Sequence, residues 1–230
     1  MKSIKSIPQS EPLITAKDRK AVNDYLKGGG WLTEHTKTKE FEDGITKFIG
    51  SKYCSVVPNG TLGLTLALMA LGIKGEVIVP AFTMIASVNA VKLAGAKPVM
   101  ADIDLDTWCL DLDNLPITDK TQAIMVVHLN GRSPDMDKLV KICKEKHLYL
   151  IEDSCQAFGA VELKGDIAVY SLSPHKIITT GQGGLVVTNS QKISEKVRRL
   201  KDFGRLDGGE DVFPELGFNF KFTDLQAVIG

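Results

Sequence analysis

From Thr15 onward the chain switches between two hydrophobic rhythms. Short apolar runs bounded by Gly, Pro, Asn or Asp read as strands, and longer runs with a polar face read as helices. The first fifty residues predict two helices. Thr15 caps one that runs to about Leu26 and is closed by Gly28-Gly29-Gly30, and Glu40 to Phe48 gives the second. Beyond them the two kinds of element alternate. Strands are predicted at Tyr53–Val57, Glu76–Val79 (ended by Pro80), Lys97–Ala101, Ala123–His128, Leu148–Ile151, Ile167–Ser171 and Gly184–Thr188. Helices are predicted at Thr83–Leu93, Met136–Lys146 and, with an amphipathic pattern, Ile193–Phe203. Thr61–Leu71 is apolar almost all round, the pattern of a buried helix. Thr223-Asp224-Leu225-Gln226 reads as a capping box opening one more helix, and so few residues follow that the end at Gly230 reads as an interruption.

Strands alternating with helices predict an α/β domain with a mostly parallel sheet. Such sheets bind ligands at the carboxyl ends of their strands. Asn59-Gly60-Thr61, Asp153 and Ser171 all lie at or just past such an end, so distant segments can converge on one site.

Composition narrows the function. The 230 residues are 43% hydrophobic and 24% charged, ordinary globular values. Lys plus Arg equals Asp plus Glu at 28 each, which argues against nucleic acid and anionic membranes as partners. The apolar run Leu62–Leu71 is too short to span a bilayer. Cys54, Cys109, Cys143 and Cys155 form no C-x-x-C pair and have no His cluster beside them, which argues against zinc. The chain opens Met1-Lys2-Ser3-Ile4-Lys5 with no apolar signal segment, so reduced thiols and a cytoplasmic location are expected. Asp102, Asp104 and Asp106 alternate like the start of a calcium loop. They lack the following Gly and the terminal Glu, and read as a solvated turn.

The candidate chemistry centres on Lys176, five residues after Ser171, in a loop that leads into Gly181-Gln182-Gly183-Gly184. Its amine can form a Schiff base with an aldehyde and then act as general base and acid. Asn59-Gly60-Thr61, between a strand and a helix, offers N–H groups and a hydroxyl to a phosphate; it is equally a plain capped turn. Asp153 closes a strand, where a carboxylate can keep a pyridine nitrogen protonated and make the ring an electron sink; a loop acid is the plainer alternative. Gln156, one turn on, is a ring-hydroxyl neighbour or a surface amide. Ser171 is a further phosphate donor or a strand-end hydroxyl. His128 reads as a structural, hydrogen-bonded histidine, and His175 as a loop residue.

Taken in order, these segments resemble the DegT/DnrJ/EryC1/StrS family of pyridoxal-phosphate-dependent sugar aminotransferases. Phe41-Glu42 with Gly50 resembles an early FE…G segment, and Asn59-Gly60-Thr61-Leu62-Gly63-Leu64 an SGT-x-AL phosphate turn. Glu76 to Thr83 resembles DEVI-x-P-x-x-T, and Ala96, Pro98, Asp102 and Asp104 match GA-x-PV-x-x-D-x-D. Val127-His128-Leu129-Asn130-Gly131 is similar to VHLYG, and Ile151 to Ala157 to IEDAAQA. Gly217 to Ala227 is similar to GYNYRMTDLQAA. The resemblance covers essentially the whole chain.

It implies the fold type I large domain of pyridoxal-phosphate enzymes: a mixed, mostly parallel central sheet with helices on both faces. It implies residues 1–230 as an N-terminal segment plus this cofactor-binding domain, with the family's C-terminal small domain absent. Lys176 is implied to bond the cofactor, pyridoxal 5′-phosphate. Asp153 is implied to pair with the ring nitrogen and Gln156 to lie near the ring hydroxyl, with Gly60, Thr61 and Ser171 holding the phosphate. Asn219 is implied to reach the phosphate of a partner subunit, hence a homodimer with shared active sites. The implied substrates are glutamate and a nucleotide-linked keto-deoxy sugar of the perosamine type. Met84 stands where relatives place an aromatic that stacks on the cofactor, Gln182 replaces a Glu, and Lys221 replaces an Arg. Some relatives are dehydratases with His in place of the bonding Lys; the Ser171 spacing puts Lys176, not His175, in that slot. The rival readings are a truncated, inactive cofactor-binding remnant and a non-catalytic α/β binding protein.

Overall fold

The computed structural model describes residues 7–206 and 211–230. Its strands are β1 (Tyr53–Val57), β2 (Glu76–Pro80), β3 (Lys97–Ala101), β4 (Thr121–Val127), β5 (Tyr149–Asp153), β6 (Ile167–Ser171) and β7 (Gly184–Thr188). They form one sheet in the order β1-β7-β6-β5-β4-β2-β3. β7 runs against both its neighbours, and the other adjacent pairs are parallel. The helices are α1 (Ala16–Lys27), α2 (Thr36–Ile49), α3 (Gly60–Ala70), α4 (Ile85–Leu93), α5 (Met136–Lys146), α6 (Gln191–Lys201) and α7 (Asp224–Ile229). The sheet is mixed and mostly parallel, with helices on both faces.

Both faces of the sheet are buried, which is why its strands read as continuous apolar runs. On one face α3, α4 and α6 cover Val77, Val79, Met125, Ile151 and Val169. On the other, α5 covers Ile78, Ile124, Val126 and Leu150, while Phe41 and Ile45 of α2 pack with Ala227 of α7 against Val56 and Val187. Neighbours such as Leu150 and Ile151 fall in opposite cores because successive strand side chains point to opposite sides. The same alternation separates the two acids that end β5. Asp153 falls on the α4 side with Ile151, and Glu152 on the α5 side with Leu150.

Several boundaries shift by one to four residues from the sequence pattern, and two of these shifts have a clear physical reason. Pro80 belongs to β2 instead of stopping it. The pairing of β2 with β4 ends at Ile78, so by Pro80 only the β3 side is paired, and proline's missing donor is not needed there. α2 begins at Thr36, four residues before the apolar pattern suggested. His35 at its N-cap provides no side-chain bond. The cap comes from Asp224, whose carboxylate accepts from His35 N at 2.7 Å, Lys37 N at 2.9 Å and Thr38 N at 2.9 Å. At the other expected cap, Thr223 Oγ1 accepts from Gln226 N as foreseen. Gln226, however, pairs with the Thr223 hydroxyl and not with its backbone.

Candidate active site

β5, β6 and the turn after β1 each deliver polar groups to one cavity where their apolar runs end. β5 ends in Asp153, which is buried. One carboxylate oxygen accepts the Ser87 hydroxyl at 2.7 Å and the other the Cys155 N–H at 3.2 Å. The Ser87 proton is committed to Asp153, so the Thr83 hydroxyl, 3.0 Å from Ser87 Oγ, is the donor in that contact. A relay from Thr83 through Ser87 therefore fixes the carboxylate.

β1 leads through Asn59 into α3. The Asn59 side chain accepts from Leu62 N at 2.9 Å. Gly60 and Thr61 occupy the first turn, where N–H groups have no intrahelical acceptor and the helix dipole favours an anion. Gly60 is required by space. A Cβ there would lie 2.8 Å from Cys155 Sγ and 3.1 Å from Ser171 Cβ. The end of β6 and the turn after β5 thus close on the α3 terminus from two sides.

Ser171 ends β6 with only long contacts to Ser173, at 3.4 and 3.5 Å, so its hydroxyl is weakly committed. The chain then turns tightly, Lys176 N donating to Ser173 O at 3.0 Å. Lys176 is half-buried and has no carboxylate partner within ion-pair distance among the described residues. Gln156 accepts from Asn130 N at 3.1 Å. Met84 caps α4, its sulfur accepting from Ala86 N at 3.0 Å.

Gly60, Thr61, Met84, Asp153, Gln156, Ser171 and Lys176 all line one cavity of about 450 Å³. Asn219 is not among its lining residues; it is exposed and bridges to Asp202. Lys221 pairs with Asp202 at 2.7 Å. Gln182 lines the cavity, and its carbonyl accepts from Gln226 Nε2 at 2.7 Å.

Three residues at the site escaped the sequence reading. Ser87 was legible only as a polar position four after Thr83 in an apolar helix. Ser173 and Cys155 carried no signal beyond their neighbours. Burial pushes the Cys155 thiol well up, the Asp153 charge and hydrogen bond push the same way, and Lys176 opposes them weakly. Cys155 is therefore a neutral wall, not a nucleophile. His128 lies outside the cavity lining, fully buried with Nε2 2.9 Å from Glu152 Oε2. Glu152 also receives the N–H of Lys164. This cluster lies on the α5 side and ties the ends of β4 and β5 together. Asp104 accepts from Asp106 N, Thr107 N and the Thr107 hydroxyl, a local turn, and no metal-binding group of side chains occurs among the described residues. All four cysteines are free, and no described helix is long and apolar enough to cross a membrane.

The donor set suits pyridoxal 5′-phosphate. A helix N-terminus cleared by Gly60 takes a dianion, a buried carboxylate takes a protonated ring nitrogen, and an amine without a carboxylate partner takes an aldehyde. Comparison with known proteins points the same way. The DegT/DnrJ/EryC1/StrS aminotransferase family matches residues 12–230. GDP-perosamine synthase of Escherichia coli O157:H7 is 38% identical over 99% of the chain and 65% of its own length. The chain spans less than two thirds of the length of the curated relatives it matches. The solved structure of DesI with its TDP-sugar product superposes with a TM-score of 0.87 at 32% identity, covering 97% of this chain and 60% of DesI. GDP-4-keto-6-deoxymannose-3-dehydratase, solved with a trapped PLP-glutamate geminal diamine, superposes at 0.90 with 25% identity, covering 97% of this chain and 66% of the other.

Proposed function

The chain belongs to the DegT/DnrJ/EryC1/StrS aminotransferase family, and from that premise we propose that it is the cofactor-bearing part of an aminotransferase moving an amino group from glutamate to a nucleotide-linked keto-deoxy sugar. The supporting observation is the convergence of Gly60, Asp153, Ser171 and Lys176, from four separate segments, on one cavity. Pyridoxal phosphate, when bound, supplies the electron sink that amino-group transfer requires.

The chain's own residues take the remaining roles. The first-turn N–H groups at Gly60 and Thr61, with the Ser171 hydroxyl, hold the phosphate. Asp153, fixed by Ser87, orients the ring and keeps the proton on its nitrogen. Gln156 would lie near the ring hydroxyl and Met84 would pack on the ring face. Lys176 Nζ would hold the cofactor through its aldehyde and, as a free amine, would serve as the general base and acid that carries the substrate-carbon proton. The family resemblance carries the homodimer reading: Asn219, exposed and outside the cavity, would meet the phosphate site of a second copy. The second reading is sugar dehydration, supported by the likeness to GDP-4-keto-6-deoxymannose-3-dehydratase; His175 lines the cavity but stands one residue short of the Lys176 slot.

The test is reduction of the purified protein with borohydride in the presence of the cofactor, followed by peptide mapping. Label on Lys176, with loss of the cofactor's aldehyde absorbance on adding glutamate, supports the proposal. Label elsewhere removes its centre. Label on Lys176 without a response to glutamate leaves cofactor binding without transamination. Release of water from the keto sugar without amination selects the dehydration reading.

A further inference from the structure

Beside the cavity stands a cluster of side chains that the roles above do not use. Trp108 lies in the loop after β3 with φ +60°, a left-handed backbone that a bulky residue rarely adopts. The loop is well tied. Trp108 N donates to Asp104 O at 2.7 Å, Asp104 N to Cys109 O at 2.9 Å, and Asp111 N to Asp102 O at 3.0 Å. The Arg132 guanidinium lies 4.8 Å from the centre of the indole. Phe82 meets the same ring edge-on, with centroids 6.1 Å apart. Trp108 remains 42% exposed and Phe82 52%. Arg132 is exposed and has no carboxylate within ion-pair distance among the described residues.

An indole held in a strained backbone, half in water and topped by an unpaired guanidinium, is costly as pure architecture. Strain of this kind collects at ligand sites. The chain path joins the cluster to the cavity. Phe82 precedes the cavity-lining Met84 by two residues. Arg132 follows Asn130 by two, and Asn130 N donates to the cavity-lining Gln156. The nearby acids Asp102 and Asp104 are turned onto backbone N–H groups of their own loop and do not claim the guanidinium.

We propose that Trp108, Phe82 and Arg132 bind the nucleoside diphosphate portion of the substrate. An exposed aromatic face stacks the base, and the Arg132 guanidinium, 4.8 Å from the indole centre, pairs with the diphosphate. The proposal rests on the nucleotide-sugar reading above and assigns that substrate's remote half to named residues. Binding energy gained there positions the keto carbon at Lys176.

The test uses the cofactor-loaded protein, its loading followed by absorbance, with GDP, UDP and inorganic pyrophosphate as probes in calorimetric titrations. Trp108→Gly removes the ring while suiting the left-handed backbone, so the loop keeps its shape. Arg132→Gln removes the charge. Trp108→Gly is expected to weaken nucleoside diphosphate binding about tenfold and pyrophosphate binding clearly less. Arg132→Gln is expected to weaken both probes by a similar factor. Native protein that binds GDP or UDP, with both variants binding equally well, overturns the cluster assignment alone. Native protein that carries cofactor on Lys176 yet binds neither nucleotide overturns the assignment together with the nucleotide-sugar reading, and leaves family membership untouched.

Discussion

The Ser87 hydroxyl donates to Asp153 Oδ2 at 2.7 Å, and both side chains are buried beneath the cavity. One comes from a helix facing the sheet and the other from the end of β5, so this bond sets how the helix and strand meet at the site. A hydrogen bond to a charged group contributes about 1.5–3 kcal/mol. Ser87→Ala is expected to leave the fold intact and weaken cofactor affinity about tenfold, as read by absorbance titration of the cofactor-free protein. Ser87→Thr keeps the donor and is expected to recover most of that loss. If Ser87→Ala binds cofactor like the native protein, the carboxylate is oriented by Cys155 N alone.

The α3 terminus packs closely against the turn after β5. A Cβ at residue 60 meets Cys155 Sγ at 2.8 Å. Gly60→Ala is expected to cost about 1–3 kcal/mol of stability and to close the phosphate end of the cavity. Cys155→Ala withdraws the sulfur, so combining the two is expected to restore part of the loss, with a coupling of about 1 kcal/mol in a double-mutant cycle. Strict additivity in denaturant unfolding would show that the clash falls on Ser171 instead.

Asp224 joins the two ends of the sequence by capping α2 through His35, Lys37 and Thr38, and Tyr25 donates to it as well at 3.2 Å. Burial pushes its carboxyl up, but the Thr38 hydroxyl and the N–H groups of Lys37, Thr38 and His35 together outweigh this and hold it below the usual value. A lowered folded-state value stabilises above the unfolded value of about 4 and is lost as pH falls through the folded value. Asp224→Ala is expected to cost about 2–4 kcal/mol at neutral pH. The gap to the native protein in urea midpoints should narrow only in acid. A gap that stays constant down to the acid limit would mean the carboxylate's charge contributes nothing.

Local pattern made the strands legible because both sheet faces are buried, so each strand is an unbroken apolar run between turn residues. It also made Asp153 legible, since period two and a strand end specify which side it faces. Ser87 was hidden because its partner lies 66 residues away, and a lone serine in an apolar helix carries no direction. The start of α2 was hidden for the same reason. Its cap is supplied across 186 residues or more by Asp224, so the sequence around His35 contains no stop signal to read. Trp108 was invisible as well: φ +60° in a non-glycine residue follows from the Asp104 turn and its tertiary contacts, not from local preference.

Met84 stands where the family resemblance leads to the expectation of an aromatic ring. It lines the cavity, remains 60% exposed, and spends its sulfur as a cap on Ala86 N. A thioether is a weak acceptor, so that cap contributes little. An aromatic ring against a second ring is worth about 0.5–1.5 kcal/mol beyond area burial, while a thioether packs on a ring less well. Met84→Phe is therefore expected to bind the cofactor several-fold more tightly, measured as slower loss of absorbance on dialysis. Met84→Leu keeps the volume without the ring and is expected to show no gain. Equal retention by all three proteins would place residue 84 away from the ring face, and the hold on the cofactor would then rest on Lys176, Asp153 and the phosphate end.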